Sequence, residues 1–275
     1  MRNTAKLSTA VLVTGALTLG LTGCGADQES ASDTSGPLIV AASPVPHAEI
    51  LTYVKDNLAT KAGLDLEVKE FTDYVTPNTA TEDGSVDANY FQNQPYLDDF
   101  NQKKGTHIVP VVTVHLEPLG LYSHKVKKAD ELKSGATVAV PNDTVNEARA
   151  LKLLAADGII TLKDGAGNEA TPKDIAKNPK NLKFKELEAA QTPRSLDDVD
   201  AAVVNGNYAI ESDLEPAEDA LVLESPKDNP YGNFLAVKDG NEDDPRVKKL
   251  AKLLTSDEVK KFIEDKFQGS VIPSF

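Results

Sequence analysis

Short apolar runs alternate along this chain with longer segments in which apolar residues recur at helical spacing. Residues 38–42 form a continuous apolar run, which predicts a buried strand. Ile50, Val54 and Leu58 then fall on one face of a helix. From residue 64 to 69, apolar and charged residues alternate as they do in a half-buried strand. The pattern therefore predicts an opening of strand, helix and strand.

The same alternation continues to the end of the chain. Further strands are predicted at residues 108–115, 137–140, 182–184, 200–204, 221–223 and 229–237. A mostly polar helix is expected after residue 78. Further helices are predicted at residues 130–135, 144–155, 193–199, 244–254 and 255–267. Because strands and helices alternate throughout, we predict an α/β fold with largely parallel sheets.

Residues 137–154 place a cation beside a predicted helix start. Thr144 and Glu147 have the spacing of a capping box, so the helix is expected to begin there after a short strand. The free N–H groups of a first turn and the helix dipole favour an anion at this end. Arg149, in the second turn, can hold a carboxylate through two hydrogen bonds. From this segment alone, Arg149 could equally be a surface residue that pairs with Glu147 or Asp143.

Aromatic residues are concentrated in one region of the chain. They make up 5% of the sequence and Trp is absent, yet Tyr74, Tyr90, Phe91 and Tyr96 lie close together. Core packing accounts for about half of such a group. The others are expected to line a pocket.

Residues 1–23 have the pattern of a secretory signal. Basic residues precede an apolar run that is too short and too rich in small residues for a comfortable membrane span. The run ends in LTGC, which resembles the lipobox of bacterial lipoproteins, so Cys24 is the expected site of lipid attachment. Cys24 is the only cysteine, which excludes a disulfide within the chain. Residues 24–37 are therefore predicted to be a lipidated cysteine followed by a flexible polar tether.

The charge balance argues against nucleic acid as a partner. The chain carries 43 acidic and 29 basic residues, a formal net charge of -14 at pH 7. Binding to phosphate backbones needs clustered basic residues instead. Acidity of this kind is typical of an exported protein that stays soluble beside an anionic membrane.

Motifs along the whole chain resemble those of the methionine-binding lipoproteins that serve ABC importers. In chain order they are the LTGC lipobox, FTDYVTPN at 71–78, DANYFQ at 87–92, PYL at 95–97, PLGLYS at 118–123, VAVPND at 138–143, Asn146, Arg149 and PYGN at 230–233. The resemblance implies a lipid-anchored protein on the extracytoplasmic face of the cell membrane. It also implies a membrane permease and an ATPase as partners.

The family's fold would be of the periplasmic-binding-protein type, with two α/β lobes joined by two crossing segments and a ligand cleft between the lobes. By this resemblance, one lobe would comprise residues 38–118 and 229–275, and the other residues 119–228. The crossings are expected near residues 117–122 and 229–233. The lobes would close over the ligand, and the closed form would present a defined surface to the permease.

The resemblance further implies how an amino acid would be held. Arg149 would bind the α-carboxylate of the ligand. Hydrogen bonds to the carboxylate or the ammonium would come from Asn146, Asn205 and Asn233. The ligand's side chain would be enclosed by Tyr74, Phe91 and Asn93. Aromatic walls suit a thioether because sulfur–ring contacts are favourable by ~0.3–1.5 kcal/mol each. The full set of expected ligand-binding residues is Tyr74, Tyr90, Phe91, Asn93, His115, Glu117, Asn146, Arg149, Asn205 and Asn233.

The sequence departs from the family pattern in three places. Asn93 stands where the family commonly has His, which affects the side-chain pocket. Residues 142–146 read NDTVN, where the family usually has Pro-Thr between the Asp and the Asn, and Ala148 replaces the usual Gly. L-Methionine is the first expectation for the ligand. D-Methionine, another amino acid or a methionine-containing dipeptide are the alternatives.

Other classes of function find less support in the sequence. No Gly-x-Ser-x-Gly, P-loop or His-Glu-x-x-His motif occurs, so we expect no enzyme, no catalytic residue and no cofactor. A metal-binding receptor is a weaker alternative. His115 lies near Glu117, but that pair alone cannot make a metal site, so no metal is expected. A surface adhesin is also a weaker alternative, against which the intact Arg149 and Asn set argues.

Overall fold

Residues 36–275 are the part of the chain that the computed structural model describes. The predicted signal, Cys24 and the tether up to residue 35 lie outside the described residues. Within residues 36–275, no helix is both long and apolar enough to cross a membrane.

The predicted alternation of strands and helices is present. The strands are β1 (Leu38–Ala42), β2 (Leu66–Glu70), β3 (Ala88–Asn93), β4 (Ile108–Leu116), β5 (Gly120–Tyr122), β6 (Thr137–Pro141), β7 (Thr161–Leu162), β8 (Ile175–Lys177), β9 (Lys183–Leu187), β10 (Ala201–Val204), β11 (Val222–Leu223), β12 (Gly232–Lys238) and β13 (Ile272–Pro273). The α-helices are α1 (Glu49–Val54), α2 (Thr76–Glu82), α3 (Gln94–Lys104), α4 (Thr144–Ala156), α5 (Gly206–Glu211), α6 (Pro216–Asp219), α7 (Pro245–Leu254) and α8 (Asp257–Phe267).

Several predicted boundaries hold and others shift. The helical conformation of α1 continues to Ala62, and Gly63 ends it with a left-handed φ of 62°. The helices predicted at 130–135 and 193–199 are each reduced to a tight single turn, at Ala129–Glu131 and Pro193–Ser195. Chain segments this short cannot form enough helical hydrogen bonds to stabilise a full helix.

Helix α3 is a feature that the sequence analysis did not predict. Asn93 caps its start, because the Asn93 side chain accepts a hydrogen bond from the backbone N–H of Tyr96 at 3.2 Å. Gly105 ends the helix with a φ of 68°. The capping residue, a proline in the first turn and the final glycine were the signals that could have revealed it.

Two sheets organise the fold. The six-stranded sheet has the order β13-β4-β12-β3-β1-β2, and the five-stranded sheet has the order β11-β5-β10-β6-β9. Strands β7 and β8 form a separate two-stranded sheet. The first large sheet therefore takes its strands from residues 38–116 and 232–273, and the second takes its strands from residues 120–223. The lobe boundaries within these limits stay a prediction.

The α/β class is confirmed, but the prediction of largely parallel sheets was wrong. Strand β1 is parallel to β2 and β3, whereas β12 is antiparallel to both β3 and β4. In the second sheet, β6 is parallel to β9 and β10, whereas β5 is antiparallel to β10. The reason is that β5 and β12 follow the chain's crossings between the sheets. Each enters its sheet at the edge where the parallel strands end, so it runs opposite to them.

Each large sheet has its own apolar core. The core of the first sheet includes Leu38, Ile50, Leu51, Val54, Leu235, Leu250, Leu254, Val259 and Ile263, all fully buried. The core of the second includes Leu121, Val138, Val140, Leu151, Leu154 and Val203. The apolar faces of α7 and α8 thus pack on the first sheet, where the two helices serve as scaffold.

Candidate functional site

A cavity lies where the strand ends of the two large sheets meet. Asn93, at the end of β3, is paired with Asn233, at the start of β12. Glu117 follows β4, and Asn205 follows β10. The lining residues are Tyr74, Phe91, Gln92, Asn93, Tyr96, Glu117, Asn146, Arg149, Asn205, Gly206, Asn207 and Asn233. Crevices outside the carboxyl ends of strands are the usual ligand sites of α/β proteins.

Arg149 is buried and held from behind. Its Nε donates to Glu224 Oε1 at 2.9 Å, and its Nη2 donates to Glu224 Oε2 and to the backbone oxygen of Glu117. The guanidinium carbon lies 4.1 Å from the centre of the Tyr231 ring, a cation–π contact. Within residues 36–275, Nη1 has no hydrogen-bond partner. Two N–H donors of a residue that lines the cavity are therefore left for a ligand.

The alternative of a surface Arg149 paired with Glu147 or Asp143 was wrong. Arg149 is only 4% exposed, and its partner is Glu224, which lies between β11 and β12. Burial alone raises the pKa of Glu224, but the hydrogen bonds and charge of Arg149 outweigh it and lower that pKa overall. Glu224 stays ionised, so the pair presents a fixed guanidinium to the cavity.

The start of α4 differs from the predicted capping box. Asp143, rather than Thr144, caps the helix, since its carboxylate accepts from the backbone N–H of Asn146 at 3.0 Å. The same carboxylate accepts from the Asn146 side-chain amide at 3.0 Å. An Asp accepts hydrogen bonds more strongly than a Thr hydroxyl, and here it satisfies two donors at once. The Asn146 side chain is thereby fixed in one orientation.

The fixed Asn146 side chain in turn orients the side chain of Asn205. Its Nδ2 donates to Asn146 Oδ1 at 2.9 Å, so its own oxygen must point the other way. Asn205 Oδ1 is buried and has no hydrogen-bond partner among the described residues. A buried carbonyl without a donor is unfavourable by ~1–3 kcal/mol. The site therefore contains a preformed acceptor for an N–H group of a ligand.

Glu117 brings a carboxylate to the same cavity. His115 Nε2 lies 2.8 Å from Glu117 Oε1, and His47 Nε2 lies 3.1 Å from it. Burial raises the pKa of Glu117, while His47, Arg149 and the backbone N–H of Asn207 act in the opposite direction. A cationic group in the cavity would stabilise the ionised form of this carboxylate.

Gly206 is required for the position of Glu117. A Cβ atom at residue 206 would lie 2.8 Å from the Glu117 Cβ, closer than two such carbons can approach. The glycine thus lets the start of α5 pack directly on the crossing segment.

Three aromatic rings form one wall of the cavity. The ring centres of Tyr74, Phe91 and Tyr96 are 5.9 to 6.1 Å apart in pairs. The Tyr96 hydroxyl donates to the backbone oxygen of Tyr74 at 2.9 Å, and the Tyr74 hydroxyl donates to Asn207 Oδ1 at 2.5 Å. Because both tyrosine hydroxyls already have hydrogen-bond partners, the three rings offer apolar faces to a ligand.

The structure brings most of the predicted site residues together. Those that line the cavity are Tyr74, Phe91, Asn93, Glu117, Asn146, Arg149, Asn205 and Asn233. Tyr90 and His115 do not line it. Both are completely buried behind Glu117, where the Tyr90 hydroxyl is hydrogen-bonded to His115 Nδ1.

Other lining residues were not in the expected set of ligand-binding residues, although Tyr96 belongs to the predicted aromatic group. These are Gln92, Tyr96, Gly206 and Asn207. Gln92 is held in a buried amide network, in which it donates to Asn78 at 2.7 Å and to Asn89 at 2.8 Å. Gln92 and Tyr96 belong to the segments that resemble the methionine-binding lipoproteins, which was the available signal.

Comparison with known proteins identifies the chain's relatives. The sequence profile of the NlpA lipoprotein family matches residues 38–275. The chain belongs to the NlpA lipoprotein family. Among curated NlpA-like relatives, the D-methionine-binding lipoprotein MetQ of Salmonella typhimurium is 42% identical, over 92% of this chain and 93% of its own. The methionine-binding lipoprotein MetQ of Bacillus subtilis is 41% identical, over 95% of this chain and 98% of its own.

A solved structure gives a similar match to this NlpA-family chain. It is a nutrient binding protein from Burkholderia cenocepacia bound to methionine, with 48% identity and a TM-score of 0.84. The match covers 86% of this chain and 100% of that one. The fold expected from the sequence motifs, that of a substrate-binding protein, is therefore confirmed.

Proposed function

We propose that this chain captures a free α-amino acid, methionine before others, and delivers it to an ABC importer. The observation that carries the proposal is that one cavity offers unpaired donors of Arg149 beside an unpaired acceptor of Asn205. A zwitterion needs both, because removing its charges from water is unfavourable unless each is matched.

The carboxylate of the ligand would bind Arg149. The Nη1 donors are free to bind it, and the side chain cannot swing away because Glu224 and Tyr231 hold it. A preorganised guanidinium loses little conformational entropy when the ligand arrives.

The ammonium of the ligand would bind Asn205 Oδ1 and the Glu117 carboxylate. Asn205 and Glu117 both line the cavity, and the amide oxygen and the carboxylate are both hydrogen-bond acceptors. The buried carbonyl of Asn205 gains a donor, and the buried charge of Glu117 gains a counterion. Ligands without a free ammonium would leave these groups unsatisfied.

The side chain of the ligand would lie against Tyr74, Phe91 and Tyr96. Contacts between a thioether sulfur and aromatic rings support methionine, as do the names of the two MetQ relatives and the methionine-bound structure.

Delivery would follow from closure of two lobes, which we place at residues 38–118 with 229–275 and at residues 119–228. Hydrogen bonds already join these two parts of the chain. Tyr208 donates to the backbone oxygen of Thr72 at 3.0 Å, and Tyr74 donates to Asn207. Ligand contacts to both lobes would favour the closed state, which a permease and its ATPase would recognise.

The protein would be held outside the membrane by a lipid on Cys24. This part of the proposal rests on the lipobox and on the lipoprotein names of the relatives. No reaction is assigned to the chain, which binds and transfers its ligand without changing it.

Calorimetry on ligand-free protein tests the proposal. L-Methionine, D-methionine and a glycyl-methionine dipeptide would be titrated beside methionine amide and N-acetylmethionine. We expect binding of free methionine and more than roughly 30-fold weaker binding of the two blocked analogues, each of which lacks one charged group. Equal affinity for methionine and the blocked forms would contradict the zwitterion site.

A further inference from the structure

Behind the cavity, side chains from separate parts of the chain bring several metal-ligand atoms together. The Nε2 atoms of His47 and His115 and a carboxylate oxygen of Glu117 all lie within 4.8 Å of one another. Asn233 Oδ1 lies 3.2 Å from His47 Nε2. The sequence alone showed no further metal-ligating residues that would join His115 and Glu117. The fold supplies His47 from the start of the chain and Asn233 from β12.

The spacing of these atoms is close to that of a metal's ligands. Bonds of ~2.0–2.1 Å in tetrahedral geometry separate neighbouring ligand atoms by ~3.3–3.4 Å. The observed separations are 2.8 Å from His115 Nε2 to Glu117 Oε1, 3.1 Å from His47 Nε2 to the same oxygen, and 3.2 Å to Asn233. These three separations are shorter than that spacing by up to ~0.6 Å, and the ligand atoms of His47, His115 and Glu117 all lie within 4.8 Å of one another.

His47 has a hydrogen-bonding deficit that a cation would remove. The residue is 1% exposed, and its Nδ1 has no hydrogen-bond partner among the described residues. With the proton on Nε2, the Nδ1 lone pair is left without a donor. With the proton on Nδ1, the Nε2 lone pair faces two oxygen acceptors. A metal on Nε2 would satisfy the second arrangement.

A protonated His47 would also remove the deficit, but burial disfavours it. His47 is 1% exposed and His115 is 0% exposed, and removing a charged imidazolium from water is unfavourable. The neutral imidazole is the form that binds metals. The Tyr90 hydroxyl holds His115 Nδ1, as outer partners of metal-binding histidines commonly do.

We propose that His47, His115, Glu117 and Asn233 form a binding site for a divalent transition metal such as Zn²⁺. Two imidazoles with a carboxylate and an amide oxygen suit this class of ion better than Mg²⁺ or Ca²⁺, which prefer oxygen ligands. Glu117 and Asn233 also line the amino acid cavity, so the metal site is proposed for the ligand-free chain.

The test is a titration of Zn²⁺ and of Co²⁺ into ligand-free protein that carries no histidine tag. Ligand-free protein is needed because Glu117 also lines the amino acid cavity. We expect one ion per chain with a micromolar or lower Kd by calorimetry. We also expect bound Co²⁺ to give visible absorption bands as intense as those of four-coordinate cobalt sites. Absence of both signals in the wild-type chain would overturn the proposal.

Variants locate the ion. His47→Gln and Glu117→Gln should each weaken binding by roughly tenfold or more, since even outer partners of metal ligands contribute ~10–100-fold. His124→Gln is the matched control, because His124 is exposed and pairs with Asp197 away from the site. Wild-type affinity in His47→Gln would exclude the assignment.

A measurement on the wild-type chain covers the case in which these variants fail to fold. Zn²⁺ should raise the Tm of the wild-type protein, and EDTA should reverse the rise. An unchanged Tm at saturating Zn²⁺ would count against the site.

Discussion

Glu224 fixes Arg149 by accepting from two of its nitrogens, with Nε at 2.9 Å from Oε1. The pair joins helix α4 to the segment between β11 and β12. Because Nε and Nη2 are occupied, the guanidinium can approach a ligand only with its remaining donors. The orientation of the guanidinium is thus set before any ligand arrives.

Loss of Arg149 should weaken amino acid binding strongly. Arg149→Ala removes the partner of a buried carboxylate, so we expect a loss of ~2–4 kcal/mol in binding free energy, measured by calorimetry. Arg194→Ala is the control, since Arg194 is exposed. Glu224→Gln keeps the guanidinium but frees it to rotate, and a smaller loss is expected there. Unchanged affinity in Arg149→Ala would remove this residue from the site.

Asn205 should affect affinity without a comparable effect on stability. Asn205→Ala removes the unpaired buried acceptor but leaves Asn146 Oδ1 without its donor, so one deficit replaces another. We expect binding to weaken by ~1–3 kcal/mol while the Tm of ligand-free protein changes little. Asn57→Ala, at an exposed position, is the control. A large fall in Tm with normal affinity would show a structural role instead.

Glu147 should make stability depend on pH. Burial, together with the neighbouring Glu186, raises the pKa of Glu147 to about 7. In the unfolded chain a Glu titrates near ~4.3, so its contribution is complete below that pH and is lost as pH rises through 7.

Glu147→Gln keeps the uncharged shape at every pH. The variant should therefore raise the Tm by roughly 2–4 °C at pH 8 and leave it nearly unchanged at pH 5. Thermal unfolding at both pH values checks this expectation. An equal change in Tm at the two values would contradict the raised pKa.

Cys24 is predicted from the sequence to carry the membrane anchor. Cys24→Ala should move the protein from the membrane fraction to the soluble fraction of cells, because one signal for lipid attachment is lost. Fractionation with immunoblotting measures the distribution. Ser32→Ala, in the same predicted tether, should stay with the membranes. Membrane association of Cys24→Ala would show another mode of attachment.

Local patterns in the sequence predicted the fold class, whereas the expected roles of most site residues came from the family resemblance. The strand, loop and helix around Arg149 could be predicted because the signals lie within a few residues of one another. The capping residue was wrong because two candidates, Asp143 and Thr144, are adjacent, and only the side-chain geometry distinguishes them.

Contacts between distant residues were beyond prediction from a single sequence. Glu224 pairs with Arg149 across 75 positions, and His47 lies beside Asn233 across 186. No periodicity relates such positions. The antiparallel strands were also unforeseen, because their direction depends on where the chain crosses between sheets.

Native mass spectrometry of the protein purified from rich medium tests the central claim most directly. The account predicts one bound molecule per chain with the mass of methionine, lost from Arg149→Ala prepared in the same way. A different free amino acid would keep the zwitterion site and change the side-chain assignment. A wild-type chain that carries no amino acid, and takes up none when a full set is added after unfolding and refolding, would contradict the account.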